Sequence, residues 1–386
     1  MTIGTGIAVV GTGESDQIGD VRDKSAMQMH AEAAANALDN ANLALTDVDA
    51  LFTCGVDFMP TLMVAEYLGL KPRYSSSNSI GGSSFVAHLH EAARAISAGD
   101  CEVALITHGE TRRSNRRRGV SVRPAHDDPW LPDWQWERVY GVQSPPAAYA
   151  LAAARHMHEY GTTSENLAEI AVATRAWAAL NPMAFKRDPL SIDDVMSSPW
   201  LVYPFHPLDC CLVTDAGGAV VLTSTSRART LGVPVVEILG SSVAHTHYGI
   251  SQMPDLCVTP AAQTGAEAFR QAGLTPADVD VAQLYDSFTY TVLVTLEDLG
   301  FCAKGEGGDF VSGQRTAPGG DFPLNTSGGG LSYNHPGMFG MFLMIEAVRQ
   351  LRQECGQRQV KDPEIALVNA MGGYLSSAAT AILGRV

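Results

Sequence analysis

The chain offers no run of apolar residues that reads as a membrane span. Its most apolar stretch, residues 365–383, is interrupted by Asn369, Gly372, Gly373 and two serines, so it is predicted to be a buried strand–turn–strand. The first residues, MTIGTGIAVVGTGES, contain no Lys or Arg, and no signal peptide is expected. Positive charge is in short supply. Lys and Arg number 26 against 41 Asp and Glu, a net charge of −15. That balance disfavours nucleic-acid binding by the chain as a whole and leaves room only for a local basic patch. The seven cysteines are an odd count without regular spacing, and Cys210 and Cys211 are adjacent. Neither a disulfide framework nor a metal-ligand pattern fits, and a reduced, cytoplasmic protein is the simpler expectation. What the chain does have is a hydrophobic fraction of 46% over 386 residues. That suffices for a large core, in two or three domains or one duplicated unit.

A second absence is chemical. Residues 75–84 read SSSNSIGGSS and run straight into the helical pattern that begins Phe85-Val86-Ala87. A Gly/Ser-rich turn entering a helix presents unpaired backbone N–H groups, suited to an anion or a developing oxyanion. Yet the stretch holds no Cys, His, Lys or acid. It predicts a carbonyl or oxyanion site without a strong nucleophile, with a tight packing turn as the plainer alternative.

Strand-like runs occur at 6–13, 49–56, 101–109 and 217–224, and again at 233–242, 280–287, 364–373 and 378–384. Helix-period segments lie between them at 26–43, 83–98, 147–160, 164–180, 262–273, 289–300 and 339–354. This alternation predicts an α/β architecture. The two series superpose in order. Ala44-Leu45-Thr46-Asp47-Val48-Asp49 answers Leu274-Thr275-Pro276-Ala277-Asp278-Val279-Asp280, and Asn78-Ser79-Ile80-Gly81-Gly82 answers Asn325-Thr326-Ser327-Gly328-Gly329. An ordered set of matches is evidence of internal duplication, with halves expected at 1–230 and 231–386. Residues 110–145 interrupt the first half. They are basic, then rich in Pro and Trp, without helical or strand period, as expected of a functional loop. Arg112, Arg113, Arg116, Arg117 and Arg118 are either a solvated charge run or an anion contact, for example to a nucleotide-bearing cofactor.

Four stretches bear a resemblance to the thiolase superfamily: DCCLVTDAGGAVVLTS (209–224), LYDSFTYTVLVTLEDLGFC (284–302), NTSGGGLSYNHPGMFG (325–340) and ALVNAMGGYLSSAATAILG (366–384). The resemblance implies the thiolase fold, two duplicated α/β halves in a five-layer αβαβα sandwich. It also exposes departures. The family's acyl-accepting Cys corresponds to Ser79, and the second, proton-transferring Cys of the C-terminal loop falls at Met371-Gly372-Gly373. Only the His of the His-Pro loop remains, as His335. The patterns Leu-Tyr-Asp-Ser-Phe (284–288) and Leu-Ser-Tyr-x-His (331–335) resemble the lipid-transfer-protein type of thiolase-like aldolase, which cleaves steroid side chains. That branch implies retro-aldol cleavage of a bulky β-hydroxyacyl-CoA to a ketone or aldehyde and a shorter acyl-CoA. Coenzyme A then enters as part of the substrate, with no covalently bound cofactor. The branch also implies a homodimer that docks a small OB-fold partner carrying a zinc ribbon, a heterotetramer in which zinc belongs to the partner. The alternatives are an acyltransferase that uses Ser79, or a non-catalytic subunit that binds acyl-CoA or lipid.

Retro-aldol chemistry needs a base for the β-hydroxyl and a group that stabilises and reprotonates the enolate, and no covalent intermediate. Tyr333 and His335 lie two apart and in extended backbone would project to one side. Tyr285 would share the proton transfer, and Asp286 would orient a base or bond a loop N–H, with ordinary capping of the strand end as the plainer alternative. Ser79, Gly81, Gly82, Gly372 and Gly373 would form the oxyanion and substrate wall. His245, His247 and Tyr248 would line the acyl pocket; a metal site there lacks a third ligand. His88-x-His90 and His156-x-His158 fall in helices, where a spacing of two faces different directions, and read as incidental. Gly11-Thr12-Gly13 lacks the third Gly of a dinucleotide fingerprint.

Overall fold

The computed structural model describes residues 6–56, 58–119 and 128–386. The first series comprises β1 (Ile7–Glu14), α1 (Ala26–Asn40), β2 (Ala50–Thr53), α2 (Pro60–Leu68), β3 (Tyr74–Ser76), α3 (Ser84–Ala98) and β4 (Val103–Thr111). A mainly helical excursion follows: α4 (Arg112–Arg117), α5 (Pro132–Trp136), α6 (Pro145–Tyr160), α7 (Ser164–Ala179) and α8 (Ile192–Met196). The chain then re-enters the sheet as β5 (Asp215–Ser224) and turns through α9 (Thr225–Ala228). The second series is β6 (Val236–His245), α10 (Ala261–Ala272), β7 (Val281–Leu284), α11 (Thr289–Asp298), α12 (Gly307–Val311), α13 (Gly340–Leu351), β8 (Ile365–Gly372) and β9 (Ser377–Arg385).

The strands form one sheet in the order β3-β2-β4-β5-β1-β6-β9-β8-β7. In the first series β2 pairs parallel with β4, which pairs antiparallel with β5, which pairs antiparallel with β1. The second repeats the pattern: β7 parallel to β8, β8 antiparallel to β9, β9 antiparallel to β6. The series join where Ala8 and Val9 face Glu237 and Val236.

The duplication reaches individual hydrogen bonds. Asp47 accepts the Ala44 N–H, and Asp278 accepts the Thr275 N–H. Asp49 then accepts from the N–H groups of Glu102 and Val103, and Asp280 from those of Glu364 and Ile365. Each of these two carboxylates therefore ties the start of one strand to the start of its parallel neighbour. β1 bulges between Val9 and Gly11 and β6 between Ile238 and Gly240. A Cβ on Gly11 would stand 2.1 Å from the Ala37 carbonyl oxygen, and one on Gly240 2.3 Å from that of Ala268. At both bulges glycine lets a helix backbone press onto the strand.

α1 packs on β1, β4 and β5, α10 packs on β6 and β9, and α3 and α13 touch each other and strands of both series. The layers are thus outer helix, half-sheet, a shared central pair of helices, half-sheet and outer helix, as the thiolase fold requires. One buried cluster fills the α1 side (Ala8, Val10, Leu51, Leu105, Val221). A larger one fills the centre and the second half (Val9, Phe85, Ile106, Phe339, Phe342, Leu367, Ile382).

Some expectations change. The apolar stretch 365–383 does form strand, turn and strand. β3 and α2 were not expected: β3 is only three residues, Tyr-Ser-Ser, of which the tyrosine alone favours a strand, and it pairs only along β2. The segment after β4 is not structureless either. It opens with α4 and later carries α5, which starts with Pro132 at its first position; the stretch 120–127 lies outside the described residues.

Candidate active site

The central helices deliver their N-termini to one place. Tyr285 follows β7 directly, and its N–H bonds the Asn369 carbonyl on the neighbouring β8. That fixes a buried side chain at the strand end. Its hydroxyl lies 2.9 Å from His335 Nε2, and the Phe339 N–H, at the start of α13, donates to the same hydroxyl at 3.1 Å. His335 is held from the other direction. Its N–H donates to Thr214 Oγ1, and its carbonyl accepts the Thr214 N–H.

Asp286 is buried and does not touch the imidazole. Its carboxylate accepts the N–H groups of Gly330 at 2.7 Å and Leu331 at 3.1 Å. It anchors the turn Gly329–Tyr333, one residue short of Asn334 and His335. Burial pushes the Asp286 carboxyl up to about 7, against the pull of the two N–H groups. Burial also drives the Tyr285 hydroxyl well above the ordinary phenol range, with the Phe339 N–H opposing. His335 is held down at about 3, first by burial and then by the nearby Arg112 guanidinium. At neutral pH the pair is therefore a protonated phenol beside a neutral imidazole.

The Gly/Ser loop forms the facing wall. A Cβ on Gly82 would sit 2.2 Å from Tyr285 Cε2, and one on Gly372 would sit 1.8 Å from the Ile80 carbonyl oxygen. These two positions must be glycine for the loop to lie on the tyrosine ring and on the β8 end. Gly81 abuts Gly372 and Gly373, so the four glycines named from the sequence bring the two loops together, with Gly82 against the Tyr285 ring. The loop is less open than expected. The Asn78 N–H donates to His88 Nε2 at 3.2 Å and the Ile80 N–H to Ser84 Oγ at 2.9 Å. The N–H groups of Gly81 and Gly82 have no hydrogen-bond acceptor among the described residues, and they remain available to an oxyanion. Ser79 is exposed in the single chain, and no hydrogen bond reaches its hydroxyl among the described residues.

Tyr333 and His335 do not project together. The turn carrying Tyr333 is helical rather than extended, which rotates its ring away. Its hydroxyl donates to Glu14, which also takes a 2.6 Å bond from Arg349. A cavity of about 200 Å³ opens there, lined by Tyr333, Glu14, Asn181, Phe342, Arg349 and Arg358. Phe339 and Phe342 stack on each other, one packed on His335 and the other on Tyr333. Burial and the Glu14 carboxylate both raise the Tyr333 hydroxyl, the reverse of the lowering expected of a base.

His245, His247 and Tyr248 stand behind the Gly372–Gly373 loop. His245 Nδ1 bonds Ser377 Oγ at 2.9 Å, which in turn lies 2.8 Å from Ser83 Oγ. His247 Nε2 donates to the Tyr374 carbonyl, and Tyr248 is exposed. The two histidines brace the loop and do not converge on one point. His88 proves structural rather than incidental, because it caps the Gly/Ser loop. His156 is buried against Glu297. Residues not singled out beforehand are Thr214, Phe339 and Tyr149, whose hydroxyl donates to the Gly373 carbonyl at 2.9 Å. Their roles run through backbone groups, which leave no residue-type signal. Burial raises the thiols of all seven cysteines, so none is primed as a thiolate.

A family model described as thiolase C-terminal domain-like matches residues 242–385. A 17-hydroxy-3-oxo-4-pregnene-20-carboxyl-CoA lyase of Mycobacterium tuberculosis is 37% identical over 89% of this chain and 91% of its own. The chain belongs to the thiolase superfamily, on its lipid-transfer-type aldolase branch. A steroid side-chain-cleaving aldolase of Thermomonospora curvata is 35% identical over 85% of this chain and 86% of its own. The solved Ltp2-ChsH2(DUF35) aldolase superposes with a TM-score of 0.89 at 33% identity, covering 98% of both chains. Within this superfamily the site keeps a Gly-rich helix entry and a His-Pro loop, with Ser79 and Met371 where the resemblance places cysteines.

Proposed function

We propose that this thiolase-superfamily chain cleaves a bulky β-hydroxyacyl-CoA, of the steroid or bile-acid side-chain type, into a ketone or aldehyde and a shorter acyl-CoA. It is a carbon–carbon lyase acting on a CoA thioester. The observation that carries the mechanism is the Tyr285–His335 hydrogen bond beside a Gly-rich loop that has no nucleophile. His335 is neutral, so its Nε2 is the acceptor end of the hydrogen bond, a base weakened by burial and by Arg112, and burial keeps the Tyr285 proton in place until it is passed on. The substrate β-hydroxyl gives its proton to Tyr285 as Tyr285 gives its own to His335 Nε2. The C–C bond then breaks, its electron pair becomes the thioester enolate, and the carbonyl product departs. The Gly81 and Gly82 N–H groups face the enolate oxygen. The same proton returns through Tyr285 to the α-carbon, so the reaction balances without cofactor or covalent intermediate. Asp286 acts as a positioning residue by holding the 329–331 turn. Tyr333, paired with Glu14 at a cavity of its own, stands as the second acid–base candidate.

The acyltransferase reading has little to support it, since no base hydrogen-bonds the Ser79 hydroxyl among the described residues. The branch resemblance also supports a partner. We propose a homodimer that binds a small OB-fold, zinc-ribbon protein, with zinc in that partner. Met59, Leu62 and Tyr67 around α2 and Trp130, Trp136 and Tyr140 in the insertion are exposed, which suits contact surfaces. Free cysteines throughout fit a cytoplasmic setting, and halves of 1–230 and 231–386 fit the repeat of strands. No helix among the described residues is long and apolar enough to cross a membrane.

The test is a panel of steroid, bile-acid and aromatic β-hydroxyacyl-CoA esters, incubated with the chain and its partner. Equimolar ketone or aldehyde and shortened acyl-CoA, formed without added free CoA, is the expected result. Turnover that requires free CoA, or an acyl adduct on Ser79, would replace the aldolase by an acyltransferase. No turnover of any ester would leave the non-catalytic subunit.

A further inference from the structure

Part of the insertion is built inside out. Of residues 130–140 the buried ones are Asp133 and Glu137, two acids, while Trp130, Trp136, Val139 and Tyr140 are exposed. The Glu137 N–H bonds the Asp133 carbonyl at 3.0 Å, one helical turn back, so the two carboxylates share a face. Asp133 takes the Arg138 guanidinium of its own segment at 3.0 Å. Glu137 reaches across the chain instead. Its Oε1 accepts the Ser251 N–H at 2.9 Å, and a Cβ on Gly249 would stand 2.2 Å from the same oxygen. No apolar side chain of 130–140 is buried, so apolar burial does not seat this segment. A buried carboxylate on a backbone N–H does, and such a bond is strong away from water.

The turn that Glu137 seats carries a wall of the reaction centre. Residues 246–251 run along the loop 372–376 and hold it. The Thr246 N–H donates to the Ser376 carbonyl at 3.0 Å, His247 Nε2 to the Tyr374 carbonyl at 2.9 Å, and Ser376 Oγ to the Tyr248 carbonyl at 3.1 Å. Ser376 Oγ also accepts the Tyr374 N–H at 3.0 Å. Between these bonds lies Gly373. Its carbonyl accepts from Tyr149 on α6, and a Cβ on Gly81 would stand 2.6 Å from its nitrogen. The Glu137 carboxylate acts electrostatically on both His247 and Tyr374, so it lies near both ends of the bond between them. Contacts thus run unbroken from Glu137 through the 247–251 turn and Gly373 to Gly81, whose N–H faces the enolate oxygen in the mechanism above.

Resting on the retro-aldol reading above, we infer that Glu137 is a positioning residue for the enolate site. By seating the 249–251 turn it keeps His247 on the Tyr374 carbonyl, and that bond holds Gly373 against Gly81. Without Glu137 the 372–376 loop gains freedom, and the Gly81 and Gly82 N–H groups lose their fixed aim. Those donors act on charge that develops only as the C–C bond breaks, so the loss falls on kcat rather than on KM. The role needs an acceptor at the full reach of Glu137. Glutamine supplies one, and aspartate, a methylene shorter, does not.

Amide hydrogen exchange on the full-length chain tests this without turnover. In Glu137→Ala the amides of Thr246, Tyr374 and Ser376 should exchange about tenfold faster or more. Those of Ala379 and Ala381 in β9, paired on both sides, should keep their rates. In the cleavage assay kcat should fall by about tenfold or more with KM within about threefold. Glu137→Gln should restore both exchange and kcat to within about threefold of the unsubstituted chain. Glu137→Asp should match Glu137→Ala, and it takes that variant's place if the alanine chain does not fold. Unchanged exchange at Tyr374 and Ser376 overturns the assignment, as does equal acceleration in β9, which marks a general loss of stability. A loss confined to KM, or a glutamine variant as impaired as the alanine one, overturns it too. Faster loop exchange in a chain that cleaves no ester upholds the hold of Glu137 on the loop and overturns only the aldolase reading.

Discussion

Tyr285→Phe is the sharpest single perturbation of this site. The substitution keeps the ring that packs on Gly82 and Phe339 and deletes only the hydroxyl. Two buried groups lose their partner, His335 Nε2 and the Phe339 N–H. A buried group left unpaired costs about 1–3 kcal/mol, so the variant should remain folded with a measurable drop in urea midpoint. Its turnover should fall by about 10²–10⁴-fold, the usual effect of losing an acid–base group. His335→Ala should cost a similar factor. The two changes break one relay, so the double variant should be little worse than either single variant, far from the product of the two losses. The assay is steady-state release of shortened acyl-CoA by chromatography, paired with denaturant melts of all three proteins. Turnover of Tyr285→Phe within threefold of the unsubstituted chain, or fully multiplicative losses in the double variant, would refute the relay.

Gly82→Ala should disable the site without touching a reacting group, because its Cβ would stand 2.2 Å from the Tyr285 ring. A large loss of turnover is expected, and normal activity would show that the ring is not held against the loop. Ser79→Ala should cleave normally and take up no acyl group by mass spectrometry; loss of activity would restore the acyltransferase reading. Acid should weaken the fold before most carboxylates protonate. His30, His88 and His335 are each held at about 3 by burial against 6.5 when unfolded, so protons bind the unfolded chain first and stability falls as pH drops below 6.5. At pH 5 the three together cost about 6 kcal/mol. Asp286, raised to about 7 from 3.8, works the other way and returns about 2.3 kcal/mol between pH 7 and 5, against about 5.7 kcal/mol for the three histidines over the same interval. Denaturant titrations at both pH values should therefore show a net loss of about 3 kcal/mol, and greater stability at pH 5 would contradict the buried neutral histidines.

The repeat was legible because it rests on short-range chemistry. The Asp of each "LT..DVD" segment bonds a neighbour three residues away, and the Gly-rich entries precede helices wherever they occur. Tyr285, His335 and the glycines of both loops were also legible, through residue type and the superfamily resemblance. The relation between Tyr333 and His335 was not. Residue spacing implies a common side only for extended backbone, and the 329–333 turn winds instead, because Asp286 pins it from 44 residues away at Gly330. His88 was misjudged for a similar reason: its partner is the backbone N–H of Asn78, which has no signature in the side chains. The insertion was read as irregular because a six-residue helix of arginines shows no apolar period.

The meeting of α3 and α13 has a further meaning. A Cβ on Gly340 would stand 2.4 Å from the Gly82 carbonyl oxygen, so the start of α13 touches the loop that leads into α3, its counterpart in the first series. An assembly of two identical half-chains would place every group there twice and in equal surroundings. Proton transfer between a donor and an acceptor gains nothing from such equality, since any residue that improves one role intrudes on the other. With both halves on a single chain, one helix entry is free to shrink to serine and glycine while the other carries histidine to the tyrosine after β7. The asymmetry of the site is thus a property that two identical half-chains could not hold, and each half remains open to change without being copied into the other.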